Sequence, residues 1–322
     1  MTQIAFGTWE FGGTYGPLDP AEAVNAVHRA IDLGVTVFDT ARIYGLEEGK
    51  GTWRGAGRSE QLLGKALQGR RDKVQIVTKG GVSTRAGQPS HRAGQYNDVL
   101  KDVDISLADL GTDYIDLYLI HWPDRETPRE ETMAALNHCL DQGKVRYVGV
   151  SNFDAELLRE VCQYAPIAVN QVGFNLFDRR WERHMFPTAQ ELGVSIMAYG
   201  PLCHGLLTGT WSADTEFPDP DWRRSRVFFG QSLLTPENFG ANLAVVDQLR
   251  MVADGKGITL PQLALAWVFA HPQIAVGIVG ARTPVEIEED VKAADITFTD
   301  AELARIDQIM AAAQGQIDQV PR

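Results

Sequence analysis

Eight short runs of apolar, largely β-branched residues divide the chain, and most are too apolar to leave a face in water. They are Ile4–Trp9, Val35–Asp39, Val74–Lys79, Ile115–His121, Val145–Ser151, Ile167–Val172, Ser195–Tyr199 and Ala275–Val279. Strands of this kind belong in a parallel sheet covered on both sides. Helical stretches with readable ends lie between them. Asp19-Pro20-Ala21-Glu22 gives an acidic cap, proline at the first helical position and Glu at the third; Val24, Val27 and Ile31 then share one face, and Gly34 stops the helix. TLPQ at Thr259–Gln262 and TDAE at Thr299–Glu302 are further capping boxes.

Eight alternations within 322 residues predict an α/β chain folded as one (β/α)8 TIM barrel domain over residues 1–322. A doubly wound sheet is the alternative, but G-x-G-x-x-G after a first strand and G-x-x-x-x-G-K-[ST] are both absent. Either architecture places function at the carboxyl ends of the strands.

Those ends carry chemistry. The second run ends in Asp39, and Tyr44 follows five residues on; the third ends in Lys79 and the fourth in His121. The fifth ends in Ser151 with Asn152 beyond it, the sixth holds Asn170 and Gln171, and the seventh ends in Tyr199. Singly, each has an ordinary alternative. Asp39 could cap a helix, Lys79 could snorkel to solvent, His121 could sit in the core, and Tyr44 could be packing. Jointly, a carboxylate, an ammonium, an imidazole and a phenol would meet at one barrel mouth. A free phenol has a pKa near ~10 and is a poor acid. Lys79 beside Tyr44 is expected to lower that pKa, and Asp39 to keep Lys79 charged. The set would then hand a proton to a carbonyl oxygen, work that needs a hydride from a nicotinamide at the carbon.

The chain resembles the aldo-keto reductase superfamily, in the style of its microbial and potassium-channel β-subunit-like branches. The motifs are GTW (Gly7–Trp9), FDTA (Phe38–Ala41), GRSEQLLGKAL (Gly57–Leu67), TK (Thr78–Lys79), LGTDYIDLYLIHWPD (Leu110–Asp124), GKVRYVGVSNF (Gly143–Phe153), NQV (Asn170–Val172) and GARTP (Gly280–Pro284). The resemblance implies Asp39, Tyr44, Lys79 and His121 as a catalytic tetrad, with Tyr44 the acid. It implies that Ser151, Asn152 and Gln171 hold the nicotinamide carboxamide, that Tyr199 stacks on the ring, and that Thr8 and Trp9 lie beside the cofactor. Gly200, Pro201, Leu202, Gly205 and Leu207 would run over the pyrophosphate. Gly280, Arg282, Glu286, Glu289 and Asp290 would reach the adenosine end. The implied cofactor is NADP, with NAD or dual use as the alternative.

Three departures from the family pattern bear on function. Residues 46–56 (LEEGKGTWRGA) are an insertion, expected to lie over the mouth with Trp53, like Trp122, as a substrate wall. TGT at Thr208–Thr210 replaces the usual TGK, so a phosphate cation is missing; Arg223, Arg224 and Arg226 are candidates to replace it. Glu286 stands where a neutral amide is common and would repel a 2′-phosphate, whereas Arg282 would attract one.

A formal charge of −12 disfavours broad nucleic-acid binding. Cys139, Cys162 and Cys203 are widely spaced and read as reduced thiols, and the N-terminus resembles neither a signal peptide nor an anchor. The expectation is a cytoplasmic protein with a small carbonyl or polyol substrate, no membrane or nucleic-acid partner, and an oligomeric state the sequence leaves open. Seven histidines show no H-x-H or H-E-x-x-H, so no metal is expected. The main rival is a non-catalytic, cofactor-binding regulatory subunit on the same barrel. Such subunits carry asparagine at the position of His121. A metal-dependent sugar isomerase is a second, disfavoured by the lack of clustered ligands.

Overall fold

A computed structural model describes residues 3–45, 57–83, 91–219 and 221–317. The 46–56 insertion, and Trp53 with it, lies outside the described residues. The strands in chain order are β1 (Ile4–Gly7), β2 (Val37–Asp39), β3 (Gln75–Gly80), β4 (Val82–Ser83), β5 (His91–Arg92), β6 (Ile115–Ile120), β7 (Val145–Ser151), β8 (Ile167–Gly173), β9 (Ser195–Tyr199) and β10 (Ile274–Gly280). Eight of them close a parallel barrel in the order β1-β10-β9-β8-β7-β6-β3-β2. Closure is made where Ile4 of β1 pairs with Gly277 of β10. The short β4 and β5 pair antiparallel as a separate hairpin. This is the (β/α)8 fold that the alternation implies.

The barrel explains why the strands have no wet face. Ala5, Val37, Val77, Leu117, Leu119, Met197, Val276 and Ile278 fill the interior. Their neighbours Ile4, Phe6, Phe38, Ile76, Tyr118 and Val148 point outward, into the larger cluster beneath the helices. Around the barrel lie α1 (Pro20–Asp32), α2 (Arg58–Ala66), α3 (Tyr96–Leu110), α4 (Arg129–Asp141), α5 (Ala155–Val161), α6 (Met185–Leu192), α7 (Pro236–Lys256), α8 (Leu260–Phe269), α9 (Pro284–Asp290) and α10 (Asp300–Met310).

The helix ends follow the cap chemistry. Asp19 accepts from Ala21 N–H, and the boxes at Thr259 and Thr299 are both formed. A third box, Thr283 with Glu286, carries the same Thr-x-x-Glu/Gln signal and opens α9. Two strands stop short of their expected run ends. β1 stops at Gly7 because Trp9 opens a 3-10 turn, Trp9–Gly12, and His121 stands just past the end of β6. Among the described residues no helix is long and apolar enough to cross a membrane.

Candidate active site

Because β2, β3 and β6 are neighbours in the barrel, their carboxyl ends bring Asp39, Lys79 and His121 together. Tyr44 arrives by a continuation of β2. Thr40 N–H donates to Val77 O (2.8 Å) and Arg42 N–H to Lys79 O (3.0 Å), so the chain follows β3 past Asp39 before turning at Ala41–Tyr44. Two bonds close this turn from the other side. Gly57 N–H donates to Arg42 O (2.9 Å) and Ser59 N–H to Tyr44 O (3.1 Å), so the start of α2 holds the segment carrying the phenol.

Lys79 Nζ donates to Asp39 Oδ1 at 2.6 Å and to Thr40 O at 2.7 Å, and lies 3.4 Å from Tyr44 Oη. The His121 ring stands edge-on to the Tyr44 ring, 5.7 Å between centroids. Asp39 and Lys79 are almost wholly buried. Burial pushes each toward its neutral form, and their mutual contact pushes back. Tyr44 departs from expectation: burial, then the Asp39 charge, hold its phenol well above the usual tyrosine range. Lys79 does not outweigh these two effects, because its ammonium is already paired with Asp39 at 2.6 Å. Burial, then Lys79 and Arg92, hold His121 well below the usual histidine range, so its imidazole is neutral. The ring's Nδ1 is buried without a hydrogen-bond partner among the described residues. A buried phenol that keeps its proton, backed by a neutral imidazole, can donate to an oxygen placed between them.

The amides beside this group are already engaged. Gln171 Nε2 donates to Asp39 Oδ2 (2.7 Å), which leaves the Gln171 oxygen for a ligand. Asn152 Nδ2 donates to His121 O (3.1 Å) and Ser151 Oγ (3.0 Å), and Asn152 Oδ1 accepts from Tyr199 Oη (2.9 Å). Ser151 Oγ donates to Gln171 O. One cavity of about 890 Å³ runs from this group to α9, at the upper end of the range for small-molecule sites. It takes in Asp39, Tyr44, His121, Trp122, Ser151, Asn152, Gln171 and Tyr199. It continues past Trp9, Gly200, Pro201, Leu202 and Gly205 to Gly280, Arg282, Glu286, Glu289 and Asp290.

Some expected residues stand behind the cavity rather than on it. Thr8 is fully buried, its hydroxyl donating to Asp39 O (2.9 Å) and accepting from Ser59 Oγ (2.7 Å). Leu207 is likewise core. Among the candidate phosphate cations, Arg223 lines the cavity with its guanidinium locked onto Asp221 (2.6 Å). Arg224 instead faces Asp219, and Arg226 donates to Leu234 O. Lining residues that no motif marks include Arg250, Glu10 and Arg92. Arg250, on α7, donates to Gly209 O (2.7 Å), beside the TGT stretch that lacks its lysine. Glu10 lies against Gly280, where an added Cβ would fall 2.1 Å from its carboxylate; burial first, then Glu286, raise its pKa to about 7. Arg92, on β5, lies over the Trp122 ring. Barrel closure alone brings these three to the cleft.

Arg282 donates to Pro17 O through its guanidinium, and its backbone N–H donates to Glu286 Oε2 (2.5 Å). Glu286 Oε2 also accepts from Thr283 N–H (3.2 Å), as the capping box requires. Among the described residues no group of three or more His, Cys, Asp or Glu is placed to hold a metal ion.

Residues 3–311 match the model of the Aldo/keto reductase family. The chain is 34% identical over 291 residues to aldo-keto reductase YhdN of Bacillus subtilis, covering 89% of this chain and 83% of that protein. Its structure is similar to that of glycerol dehydrogenase AKR11B4 from Gluconobacter oxydans, with TM-score 0.85, 32% identity, and 98% and 93% of the two chains covered. It is also similar to an aldo/keto reductase from Klebsiella pneumoniae in complex with NADP and acetate, with TM-score 0.72, 28% identity, and 98% and 94% covered.

Proposed function

The chain belongs to the aldo/keto reductase family, and from that premise we propose that it moves hydride between a nicotinamide cofactor and a carbonyl or alcohol, with Tyr44 as the general acid and base. The coarser statement, an NAD(P)-dependent oxidoreductase acting on carbonyl compounds, is what the family and its reductase members support. The observation that carries the finer reading is Lys79 Nζ, 2.6 Å from Asp39 and 3.4 Å from Tyr44 Oη, with His121 against the same phenol.

Each side chain has a task in this reading. Tyr44, protonated by virtue of its burial, gives its proton to the carbonyl oxygen. His121, neutral, donates a second hydrogen bond to that oxygen and orients it. Lys79 stabilises the phenolate left behind, and Asp39 fixes Lys79. The nicotinamide, when bound, supplies the hydride that no side chain can. Gln171 lines the cavity with its amide nitrogen committed to Asp39, which suits its oxygen to the carboxamide, and Tyr199 is suited to the ring face. Ser151 and Asn152 tie these groups to the end of β7.

The residues fit a dinucleotide along the whole cleft. Arg250 provides a cation that Thr210 does not, Arg223 adds a guanidinium already paired with Asp221, and Arg282 lines the adenosine end with Glu289 and Asp290. NADP is the cofactor this favours, and the Klebsiella relative is in complex with it. Glu286 is a weaker obstacle to a 2′-phosphate than its charge suggests, because two backbone N–H groups of the α9 cap already hold its carboxylate.

The test is absorbance of the reduced cofactor, followed across aldehydes, ketones, sugars and inositols with NADPH and NADH, and in reverse with alcohols. Turnover is expected with members of the carbonyl series. Tight cofactor binding without turnover across the panel would assign the chain to the regulatory subunits instead.

A further inference from the structure

We propose that Arg92 is an anion-binding residue of the substrate pocket, and that the favoured substrates are short aldehydes or ketones bearing a carboxylate or phosphate. The proposal rests on the reading of Tyr44 and His121 as the carbonyl end of the pocket, and it adds the substrate class.

Arg92 is placed by the strand that carries Lys79. β3 ends at Gly80, Gly81 reverses the chain with φ 76°, and Val82 pairs with Arg92 in the short β4–β5 ladder. Ala93 N–H donates to Gly81 O (3.0 Å), which closes the ladder at its base. Val82 packs with Ala41 and Ile43, and against Tyr44 and Trp122, so the hairpin stands on the segment that holds the phenol. From it the Arg92 guanidinium lies 4.8 Å above the Trp122 ring, and Trp122 stacks beside His121 (6.5 Å, 20°). Arg92, Trp122, His121 and Tyr44 all line the same cavity.

The charge of Arg92 is not spent within the protein. Among the described residues it has no ion-pair partner within 4.0 Å. The carboxylate that acts on it is Asp124. That group already accepts from Gly94 N–H (2.9 Å), Glu126 N–H (2.9 Å) and Thr127 Oγ1 (2.7 Å). The other arginines on the cavity behave differently: Arg223 is bound to Asp221, Arg250 to Gly209 O, and Arg282 to Pro17 O. The cavity's acids also keep away from Arg92. Asp39 is neutralised by Lys79, and Glu10, Asp254, Glu286, Glu289 and Asp290 lie on the Trp9 turn, α7 and α9. Among the described residues the substrate end is therefore an aromatic pocket with one uncommitted guanidinium, seated over a tryptophan ring and able to make a two-point contact with a carboxylate or phosphate.

The test compares neutral and anionic partners of equal length with the intact protein and NADPH: butanal against 4-oxobutanoate, and glyceraldehyde against glyceraldehyde 3-phosphate. The expected result is at least a tenfold preference in kcat/KM for the anionic member of one pair or both, carried by KM. Which pair responds identifies carboxylate or phosphate as the anion. Arg92→Met, which keeps an apolar stem over Trp122, should cut that anionic-to-neutral ratio by about ten- to hundredfold, and Arg92→Lys should restore part of it. Equal turnover of neutral and anionic partners by the unaltered protein overturns the inference while leaving the oxidoreductase reading intact. So does an unchanged ratio in Arg92→Met. No turnover of any partner sinks the oxidoreductase reading, and this inference with it.

Discussion

The side-chain amide of Gln171 donates to Asp39 Oδ2 at 2.7 Å, joining residues 132 apart in the chain. β8 and β2 stand opposite each other in the barrel, so this bond spans the full width of its mouth. Asp39 is thereby held at both oxygens, by Lys79 on one side and Gln171 on the other. Gln171→Leu would leave one carboxylate oxygen without its donor in a dry site, at a cost of about 1–3 kcal/mol. Thermal unfolding without cofactor should show a midpoint lowered by several degrees.

Tyr44→Phe keeps the ring that packs on His121 and removes the proton. Turnover should fall by at least tenfold, within the range of roughly 10²–10⁴ for loss of a general acid, while cofactor affinity by fluorescence titration stays nearly unchanged. In the unaltered protein the phenol is held above its usual range and the imidazole below its own. Neither changes protonation near neutrality, so kcat for reduction should be flat between about pH 6 and 9. A step near pH 6.5 would show that His121 titrates in turnover.

Glu10 gives stability a pH dependence with a defined sign. Its pKa rises from 4.5 to about 7 on folding, so the folded state keeps a proton that the unfolded chain releases. The resulting stabilisation is present at low pH and is lost as pH rises from about 4.5 through 7. Glu10→Gln should therefore raise the thermal midpoint at pH 8, by on the order of 2 °C, and change it little at pH 5.

Arg282→Ala should weaken NADP more than NAD in parallel titrations, because a guanidinium pairs with phosphate better than with ribose hydroxyls. Equal weakening would mean that Arg282 serves only to tether Pro17.

What the sequence could reveal was set by how local the signal is. The barrel was legible because strands buried on both faces are written as unbroken apolar runs, and Thr259 and Thr299 because a capping box spans four residues. Thr283 has the same signature, and the bond of Glu286 to the helix end competes there with its charge toward a ligand. The convergence of Asp39, Tyr44, Lys79 and His121 was legible from their places at strand ends. The phenol's shift was not, because it depends first on how deeply the fold buries the ring and then on how near Asp39 stands, neither of which a motif encodes. Thr8 was placed beside the cofactor by likeness to GTW, yet its hydroxyl is consumed by Asp39 O and Ser59. Arg92, Arg250 and Glu10 come from a hairpin, a helix and a turn, and only closure of the barrel makes them neighbours.

The clamp between Arg42–Tyr44 and Gly57–Ser59 has a consequence for how such a chain can change. Its two bonds fix the exit and return points of residues 46–56 independently of what spans them. Closing a longer span between fixed posts costs entropy only logarithmically, about 0.6 kcal/mol for each doubling. The position is therefore a graft point: sequence of different length should be accepted there while the bonds that hold the segment carrying the phenol stay in place.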